Sequence, residues 1–329
     1  MKLPLPLVNV IVPTYNQQQY IEGAIESVLS QVCSFPFNIL IGDDRSEDAT
    51  YEICFRYSQL YPDKITVFRP NANAGLVKNY RALFKVCKAK YIAILEGDDY
   101  WTDPLKLQSQ VDILEANPEI GLVHTRSCSL FENGTLKLNT HLHQSDKEGH
   151  GLYEEILMGS YPIVPLTVCF RRELFEKFVD FEFCLQNKLT TIDAFLWPEM
   201  ARHTKFHFLD KVTGHYRVLS NSLSNSSDFE RFQVWYEKGM KILNYYQIKY
   251  PLSPQAEKKM FSNMARLAVK VGLENRQYDF TVEMSKSLMA DDLKSVLLRL
   301  IGKNRMLHRY YPIYTTLFGM LSRIKQLLH

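Results

Sequence analysis

Short apolar runs alternate with amphipathic stretches over the first hundred residues of the chain. The runs are rich in β-branched side chains, and each ends in a polar turn, which is typical of buried strands. They lie at 8–12, 37–41, 65–68 and 91–95. Between them apolar residues recur at helical spacing, which predicts helices at 17–31, 46–60 and 76–88. The alternation indicates βαβ units and a Rossmann-like, mostly parallel sheet flanked by helices, an α/β fold.

The pattern is less regular beyond this region. We predict helices at 104–116, 152–158, from 172 onward and at 190–203, and strands at 120–130, 163–170, 206–209 and 213–218. Residues 131–151 are polar, which predicts a mobile hairpin or loop. The run of serine and asparagine at 220–227 resembles a linker. We therefore predict a first domain over 1–225 and a helical C-terminal region over 226–329.

Composition and charge narrow the class of protein. Hydrophobic residues make up 46% of the chain and charged residues 23%, as in ordinary globular proteins. There is no run of about 20 apolar residues, no signal-peptide pattern and no CxxC pair, so we expect a cytoplasmic protein with reduced thiols.

The C-terminal end carries the positive charge. The segment 293–329 has seven basic residues and no acidic one. Two interpretations are open for it. It packs on the catalytic domain with a solvated basic face, or it makes peripheral contact with an anionic membrane at the inner face of the cell membrane.

Three carboxylates follow the fourth predicted strand: Glu96, Asp98 and Asp99. Carboxylates this close repel one another unless a cation lies among them, and ligands bind at the carboxyl ends of parallel strands. Oxygen ligands suit Mg²⁺ or Mn²⁺, so we predict a metal site that also holds nucleotide phosphates. The alternative is an acidic turn that caps the helix near Asp103 and Pro104, although Asp103 alone suffices for that.

The turns after the first two strands meet at the same edge of the sheet. They contribute Tyr15, which can stack on a base, and Asp43 and Asp44, which can accept hydrogen bonds from a nucleoside. The alternatives are a buried aromatic at a turn for Tyr15, and support of the helix after Ser46 for the two aspartates.

Four segments in the same order and spacing resemble family 2 glycosyltransferases of the GT-A fold. They are Val-Ile-Val-Pro-Thr-Tyr-Asn at 10–16, Ile-Gly-Asp-Asp-Arg-Ser-Glu-Asp-Ala-Thr at 41–50, Asn-Ala-Gly-Leu-Val-Lys-Asn at 73–79 and Tyr-Ile-Ala-Ile-Leu-Glu-Gly-Asp-Asp-Tyr-Trp at 91–101. The resemblance covers roughly residues 1–225. It implies an inverting, metal-dependent enzyme with a nucleotide-sugar donor, often a UDP-sugar.

The resemblance also implies roles for individual residues. Pro13, Tyr15, Asp43 and Asp44 correspond to the family's nucleoside site, and Asp98 and Asp99 to its metal- and ribose-contacting aspartates. Glu96 replaces the first aspartate of the D-x-D pattern with a longer carboxylate, which puts its direct ligation of the metal in question. Lys78 falls where a basic residue approaches the nucleotide; the alternative is a solvated helix lysine.

Two further residues follow from the same resemblance. Asp193 lies near the position of the family's catalytic base, which deprotonates the acceptor hydroxyl; the alternative is a helix cap. Arg217 lies in a Tyr-Arg segment and is a candidate phosphate ligand; the alternative is a surface ion pair.

The sequence therefore predicts transfer of one sugar to a glycan or lipid-linked acceptor in polysaccharide or lipopolysaccharide biosynthesis. The Gln-x-x-Arg-Trp pattern of processive members is absent. Two alternatives stay open: a non-catalytic sugar-nucleotide- or glycan-binding subunit, and a nucleotidyltransferase. No nucleic-acid partner is expected.

Overall fold

A single sheet of nine strands organises the part of the chain described by the computed structural model, residues 5–139, 150–219 and 229–316. The strands are β1 (Val8–Thr14), β2 (Phe37–Asp43), β3 (Ile65–Phe68), β4 (Tyr91–Ile94), β5 (Tyr100–Trp101), β6 (Ile120–Phe131), β7 (Leu136–Leu138), β8 (Cys169–Arg171) and β9 (Lys205–Val218). They run in the order β3-β2-β1-β4-β8-β6-β9-β5, with β7 paired to β6.

The first four strands are parallel, as the βαβ pattern predicts. β1 pairs with β2 and β4, and β2 pairs with β3. The second half of the sheet is mixed, because β8 runs antiparallel to both β4 and β6, while β6 and β9 are parallel. The predicted α/β fold with a mostly parallel sheet is confirmed.

Within the described residues, eight helices flank this sheet along the chain and four more follow it. The first eight are α1 (Ile21–Leu29), α2 (Thr50–Leu60), α3 (Leu76–Val86), α4 (Lys106–Ala116), α5 (His150–Leu157), α6 (Arg172–Phe178), α7 (Phe181–Gln186) and α8 (Asp193–Ala201). The last four are α9 (Phe229–Lys249), α10 (Pro254–Glu274), α11 (Tyr278–Ser285) and α12 (Leu293–Lys303). Short 3₁₀ helices lie at Pro165–Thr167 and Arg305–Tyr310.

Strand β1 is buried at every position, which accounts for its unbroken apolar sequence. Val8, Val10 and Val12 belong to a core cluster that also contains Ile21 and Ile25 of α1. Burial of both faces fixes this strand at the middle of the sheet, so its end and the end of β4 are held rigidly side by side.

Three predicted elements differ from the structure. The segment 206–218 is one strand rather than two, because β9 continues pairing with β6 through register shifts at 125–127. The segment 163–170 is mainly a 3₁₀ turn, and only its end pairs as β8. Helix α2 begins at Thr50 instead of after Ser46, because the Ser46 hydroxyl accepts a hydrogen bond from the Asn16 N–H and does not cap the helix.

The hairpin predicted in 131–151 is present where it can be described. The end of β6 pairs with β7 across a tight turn at 132–135. The remainder of that prediction, 140–149, lies outside the described residues, and so does the predicted linker at 220–227.

The chain separates into two compact units, Met1–Ile156 with Ser160–Asn225, and Leu157–Gly159 with Ser226–His329. The first contains the sheet. The second contains α9 to α12, and its small apolar core includes Val269, Leu298, Ile301 and Tyr311. Residues 311–316 are helical, whereas the predictions for 317–329 concern residues that are not described. In the described part of the chain, no helix has both the length and the apolar character needed to cross a bilayer.

Candidate functional site

The turn after β4 is hydrogen-bonded to the end of β1. The backbone N–H groups of Leu95 and Gly97 donate to the carbonyls of Ile11 and Pro13, at 3.0 and 3.1 Å. A side chain at Gly97 would lie 2.7 Å from the Thr14 hydroxyl, so only glycine fits this approach. The two carboxylates that follow are thereby presented at the carboxyl edge of the sheet.

This turn gathers three carboxylates. One oxygen from each of Glu96, Asp98 and Asp99 lies within 4.8 Å of the others. Asp99 is 1% exposed. Its Oδ1 accepts a hydrogen bond from the Arg217 backbone N–H at 2.8 Å, while its Oδ2 has no hydrogen-bond partner among the described residues.

The electrostatics of the cluster favour a cation. Burial, together with the charges of Asp98 and Glu96, raises the pKa of Asp99 well above its usual range. Burial also raises the pKa of Asp98, which Arg217 and Gln17 partly offset. Asp99 is buried and the other two carboxylates are half-buried, so ionising all three together is costly unless a positive ion compensates them. An all-oxygen donor set with one unpartnered buried oxygen fits Mg²⁺ or Mn²⁺.

Glu96 faces a second group of residues besides the two aspartates. Burial, followed by the charges of Asp98 and Asp193, raises the pKa of Glu96 to about 8. The Tyr80 hydroxyl donates to Glu96 Oε1 at 2.9 Å, and the Tyr80 ring is fully buried. The hydrogen bond fixes the position of one oxygen of the long glutamate side chain.

Asp193 is brought to the same electrostatic environment, although it lies far away along the chain. It is the first residue of α8, and Ile192 occupies the N-cap position. The predicted alternative of a capping role is therefore not the geometry observed. Burial raises the pKa of Asp193, which makes it a stronger proton acceptor than an ordinary aspartate.

Asp44 holds the loop that follows β3. Its two carboxylate oxygens accept from the backbone N–H groups of Ala74 and Gly75, at 2.8 and 2.7 Å. Asp43 forms an ion pair with Arg69 at 3.0 Å and accepts from the Ser46 N–H at 3.3 Å. Both aspartates are buried and organise the turn, while Asp43 Oδ1 has no hydrogen-bond partner in the described part of the chain.

The other predicted nucleotide-site residues differ in accessibility. Tyr15 is 44% exposed, so the alternative that it is a buried aromatic is wrong. Pro13 is buried and contributes its carbonyl to the β4 turn. Lys78 is exposed in the first turn of α3. Arg217 lies on β9, and its Nη1 donates to the Asp98 carbonyl at 3.3 Å. Among the described residues no ion pair of Arg217 is present, which was the alternative considered for it.

Two tryptophans near the site belong to the protein interior. Trp101 and Trp197 are buried, and their indole N–H groups donate to the carbonyls of Leu166 and Ile163. Their polar atoms are thus satisfied by the protein, so they form walls instead of open stacking platforms.

Sequence reasoning missed several residues of this site. Tyr80 and Arg69 reach the predicted carboxylates from neighbouring elements, and Tyr20 and Tyr100 contact the Arg217 guanidinium. Tyr100 lies within the motif at 91–101, directly after the acidic turn, but the sequence assigned it no role. Tyr20, Arg69 and Tyr80 lie outside the four motifs.

A family model and several relatives in sequence match this chain as glycosyltransferases. The family model of Glycosyl transferase family 2 matches residues 9–179. The putative teichuronic acid biosynthesis glycosyltransferase TuaG of Bacillus subtilis is 27% identical over 237 residues, which is 70% of this chain and 86% of that protein. An uncharacterised protein of Mycobacterium bovis is 36% identical over 129 residues. That match covers 38% of this chain and 36% of the mycobacterial protein.

Two solved structures share the fold at low sequence identity. Staphylococcus aureus TarS in complex with UDP-GlcNAc has a TM-score of 0.54 at 14% identity, over 93% of this chain and 91% of that one. The mannosyltransferase PcManGT of Pyrobaculum calidifontis, with GDP-Man and Mn²⁺, has a TM-score of 0.56 at 18% identity, over 97% and 85%. The GT-A fold predicted from the sequence is confirmed.

Proposed function

The chain belongs to glycosyl transferase family 2, and from this membership we propose that it is an inverting, metal-dependent glycosyltransferase. It transfers one sugar from a nucleotide-diphosphate sugar to a hydroxyl of a glycan or glycolipid acceptor. The observation that carries the proposal is the cluster of Glu96, Asp98 and Asp99, with the unpartnered Oδ2 of Asp99 at the carboxyl edge of the sheet.

The donor we propose is a UDP-sugar. The solved TarS structure contains UDP-GlcNAc, and PcManGT contains GDP-Man with Mn²⁺, so both relatives in fold bind nucleotide sugars. In this chain Tyr15 is exposed for stacking on the base, beside Pro13 and the buried pair Asp43 and Asp44. Lys78 and Arg217 supply positive charge for the phosphates.

Asp99 and Asp98 would hold Mg²⁺ or Mn²⁺, with Glu96 as the third carboxylate. The ion, when bound, neutralises charge on the departing diphosphate. The Arg217 backbone N–H orients Asp99, and the backbone hydrogen bond between Gly97 and Pro13 fixes the turn that carries both aspartates. Tyr80 holds the Glu96 carboxylate against this turn.

Asp193 is the proposed general base. A carboxylate with a raised pKa accepts a proton more readily, and this one lies within electrostatic range of Glu96. It takes the proton of the acceptor hydroxyl as that oxygen attacks the anomeric carbon from the face opposite the leaving diphosphate. The configuration at that carbon is thereby inverted.

One relative supports an acceptor class, and the two compact units of the chain support a division into two parts. TuaG is a putative teichuronic acid biosynthesis glycosyltransferase, which supports a cell-surface polysaccharide or glycolipid acceptor. We propose that residues 1–225 are the catalytic domain and that 226–329 form a helical C-terminal region.

A peripheral contact with an anionic membrane through 293–329 is part of the proposal. Four large apolar side chains of the described part of this segment are 54–75% exposed: Leu293, Leu300, Met306 and Ile313. Exposed basic residues lie among them: Lys294, Lys303, Arg305 and Arg309. Exposed apolar groups interspersed with basic ones are typical of segments that lie on anionic lipid.

Thermal unfolding with a panel of nucleoside diphosphates, with and without Mn²⁺, tests the donor site. A ligand that binds only the native state raises the midpoint by mass action. We expect a Mn²⁺-dependent rise with one nucleotide, lost in Asp99→Ala. The matched control is Asp63→Ala, at an exposed aspartate, which should retain the rise. Absence of any shift at millimolar nucleotide would refute the proposal.

A further inference from the structure

The guanidinium of Arg217 contacts the faces of two tyrosine rings. Its central carbon lies 4.9 Å from the ring centroid of Tyr20 and 4.7 Å from that of Tyr100. The rings come from separate elements, since Tyr20 immediately precedes α1 and Tyr100 lies in β5. Two rings from distant parts of the chain therefore converge on one cation.

Both tyrosines are themselves held in place. The Tyr20 backbone N–H donates to the Gln17 carbonyl at 2.9 Å, in the turn that follows β1. Tyr100 pairs with His215 across the β5–β9 ladder, and its hydroxyl is hydrogen-bonded to His215 Nδ1 at 2.7 Å. The Tyr100 ring is thus held by the sheet and by His215, and the backbone of Tyr20 is held by the turn after β1, independently of contact with Arg217.

Arg217 touches the carboxylate turn at two points. Its backbone N–H donates to Asp99 Oδ1 at 2.8 Å, and its Nη1 donates to the Asp98 carbonyl at 3.3 Å. Burial and the charge of Arg217 lower the pKa of neighbouring His215, which leaves the arginine as the positive group of this strand end. The guanidinium is therefore a fixed cation beside the carboxylate cluster.

We propose that Tyr20 and Tyr100 are positioning residues for the donor: they hold the Arg217 guanidinium beside the Asp98–Asp99 turn, where its N–H groups bind the phosphate oxygens of a nucleoside diphosphate. The inference rests on the proposed function. Ring faces attract a guanidinium, and its N–H donors, which lie in its plane, stay available for oxygen ligands. The rings also restrain a long side chain before the ligand arrives, which lowers the entropic cost of binding.

The test measures the dissociation constants of UDP and GDP by calorimetry in the presence of Mn²⁺. Tyr20→Leu and Tyr100→Leu should each weaken binding of the preferred nucleotide by about 3- to 30-fold. Tyr20→Phe keeps the ring and, as the conservative variant, should recover binding to within about twofold of the unaltered protein. The matched control is Tyr278→Leu, which removes a half-buried tyrosine 5.2 Å from the Arg305 guanidinium and should not weaken binding.

A double-mutant cycle separates positioning from general loss of structure. Arg217→Ala keeps the backbone N–H that binds Asp99 and removes the side chain beyond Cβ, including the guanidinium. In that background Tyr20→Leu and Tyr100→Leu should have no further effect on the dissociation constant.

Two results would overturn the inference. Either the leucine variants bind the nucleotide as tightly as the unaltered protein, or they weaken binding by the same factor in the Arg217→Ala background. Failure of the unaltered protein to bind either nucleotide would instead refute the proposed function, and the positioning role with it.

Discussion

At the scale of single residues, the site depends on how a longer carboxylate is accommodated. Glu96 has one more methylene than an aspartate, and a free glutamate at the end of a strand would sample several rotamers. The fully buried Tyr80 hydroxyl holds Oε1 at 2.9 Å. Groups that hydrogen-bond a metal ligand without touching the metal orient it and tune its affinity.

Tyr80→Phe should therefore weaken Mn²⁺ binding by about 10- to 100-fold while leaving the fold intact, because only the hydroxyl is removed. Calorimetric titration of Mn²⁺ in the presence of the preferred nucleotide measures this. The matched control is Tyr91→Phe, since Tyr91 is equally buried and donates to Glu115 Oε1 at 3.0 Å, away from the cluster. Equal Mn²⁺ affinity in the two variants would contradict an orienting role for Tyr80.

Asp193→Asn should lower turnover by about 10²- to 10⁴-fold without abolishing donor binding. Asparagine keeps the shape of the side chain but cannot accept the acceptor proton, and general-base catalysis contributes about 10²- to 10⁴-fold. Release of the nucleoside diphosphate from the sugar donor gives the rate, and calorimetry gives donor affinity.

The control for that substitution is Asp180→Asn, at the exposed N-cap of α7, which should keep the rate within about twofold. Turnover by Asp193→Asn at the rate of the unaltered protein would exclude it as the base.

At the scale of elements, α4 contains a buried lysine that no carboxylate of its own helix compensates. Lys106 is fully buried, and its Nζ donates to Gln110 Oε1 at 2.6 Å and lies 4.4 Å from the Trp101 ring centroid. Burial lowers the pKa of Lys106 to about 7, against 10.5 in an exposed lysine. The amide and the ring favour the charged form and offset part of the cost of burial.

This lysine makes stability depend on pH in a defined direction. Between about pH 7 and 10.5 the unfolded chain binds the proton that the folded chain has lost, so the free energy of unfolding rises with pH. From pH 7 to 9 the contribution of Lys106 should rise by about 2 kcal/mol.

Urea denaturation of the unaltered protein and of Lys106→Met at both pH values isolates this contribution, because other titrating groups cancel in the difference. Methionine should be the more stable variant at pH 7, and its advantage should shrink at pH 9. The same substitution at exposed Lys88 serves as the matched control. An advantage that does not change with pH would show that Lys106 does not lose its proton in the folded state.

At the scale of the whole molecule, charge is distributed unevenly along the chain. The segment 293–329 contains seven basic residues and no acidic one, whereas the whole chain has a net charge of only +3. The core of the second unit buries Leu298 and Ile301 and leaves Leu293 and Leu300 of the same helix exposed. This arrangement is the basis for the proposed membrane contact.

The protein should sediment with vesicles that contain about 30% phosphatidylglycerol and not with pure phosphatidylcholine. Binding should fall as salt rises from 0.1 to about 1 M, because the screening length drops from about 10 Å to about 3 Å. Reversing two charges, Lys303→Glu with Arg305→Glu, should weaken it by about thirtyfold or more, and Met306→Ser with Ile313→Ser should weaken it as well.

Matched controls lie elsewhere in the same unit. Ile248→Ser removes an apolar side chain that is 84% exposed on α9, and Lys270→Glu reverses an exposed charge on α10. Vesicle binding that responds equally to the controls and to the segment variants would exclude 293–313 as the contact surface.

Much of the fold could be predicted because its signals are short in range. The β-branched runs and the polar turns after them correctly predicted the four parallel strands, and helical spacing predicted the helices between them. The prediction failed where pairing overrode local preference. Asp210 and Lys211 are exposed and lie in the gap between the strands predicted at 206–209 and 213–218. The backbone of β9 nevertheless pairs with β6 on both sides of this gap.

By itself the sequence determined the family, the four parallel strands of the first half-sheet and the gathering of Glu96, Asp98 and Asp99, because these depend on neighbours in the chain and on motifs in order. Only the tertiary structure decided which partners those carboxylates have. Tyr80 reaches Glu96 from 16 residues away and Arg217 reaches Asp99 from 118. Such contacts depend on strand register and helix packing, which bring together side chains whose positions in the sequence carry no sign of each other.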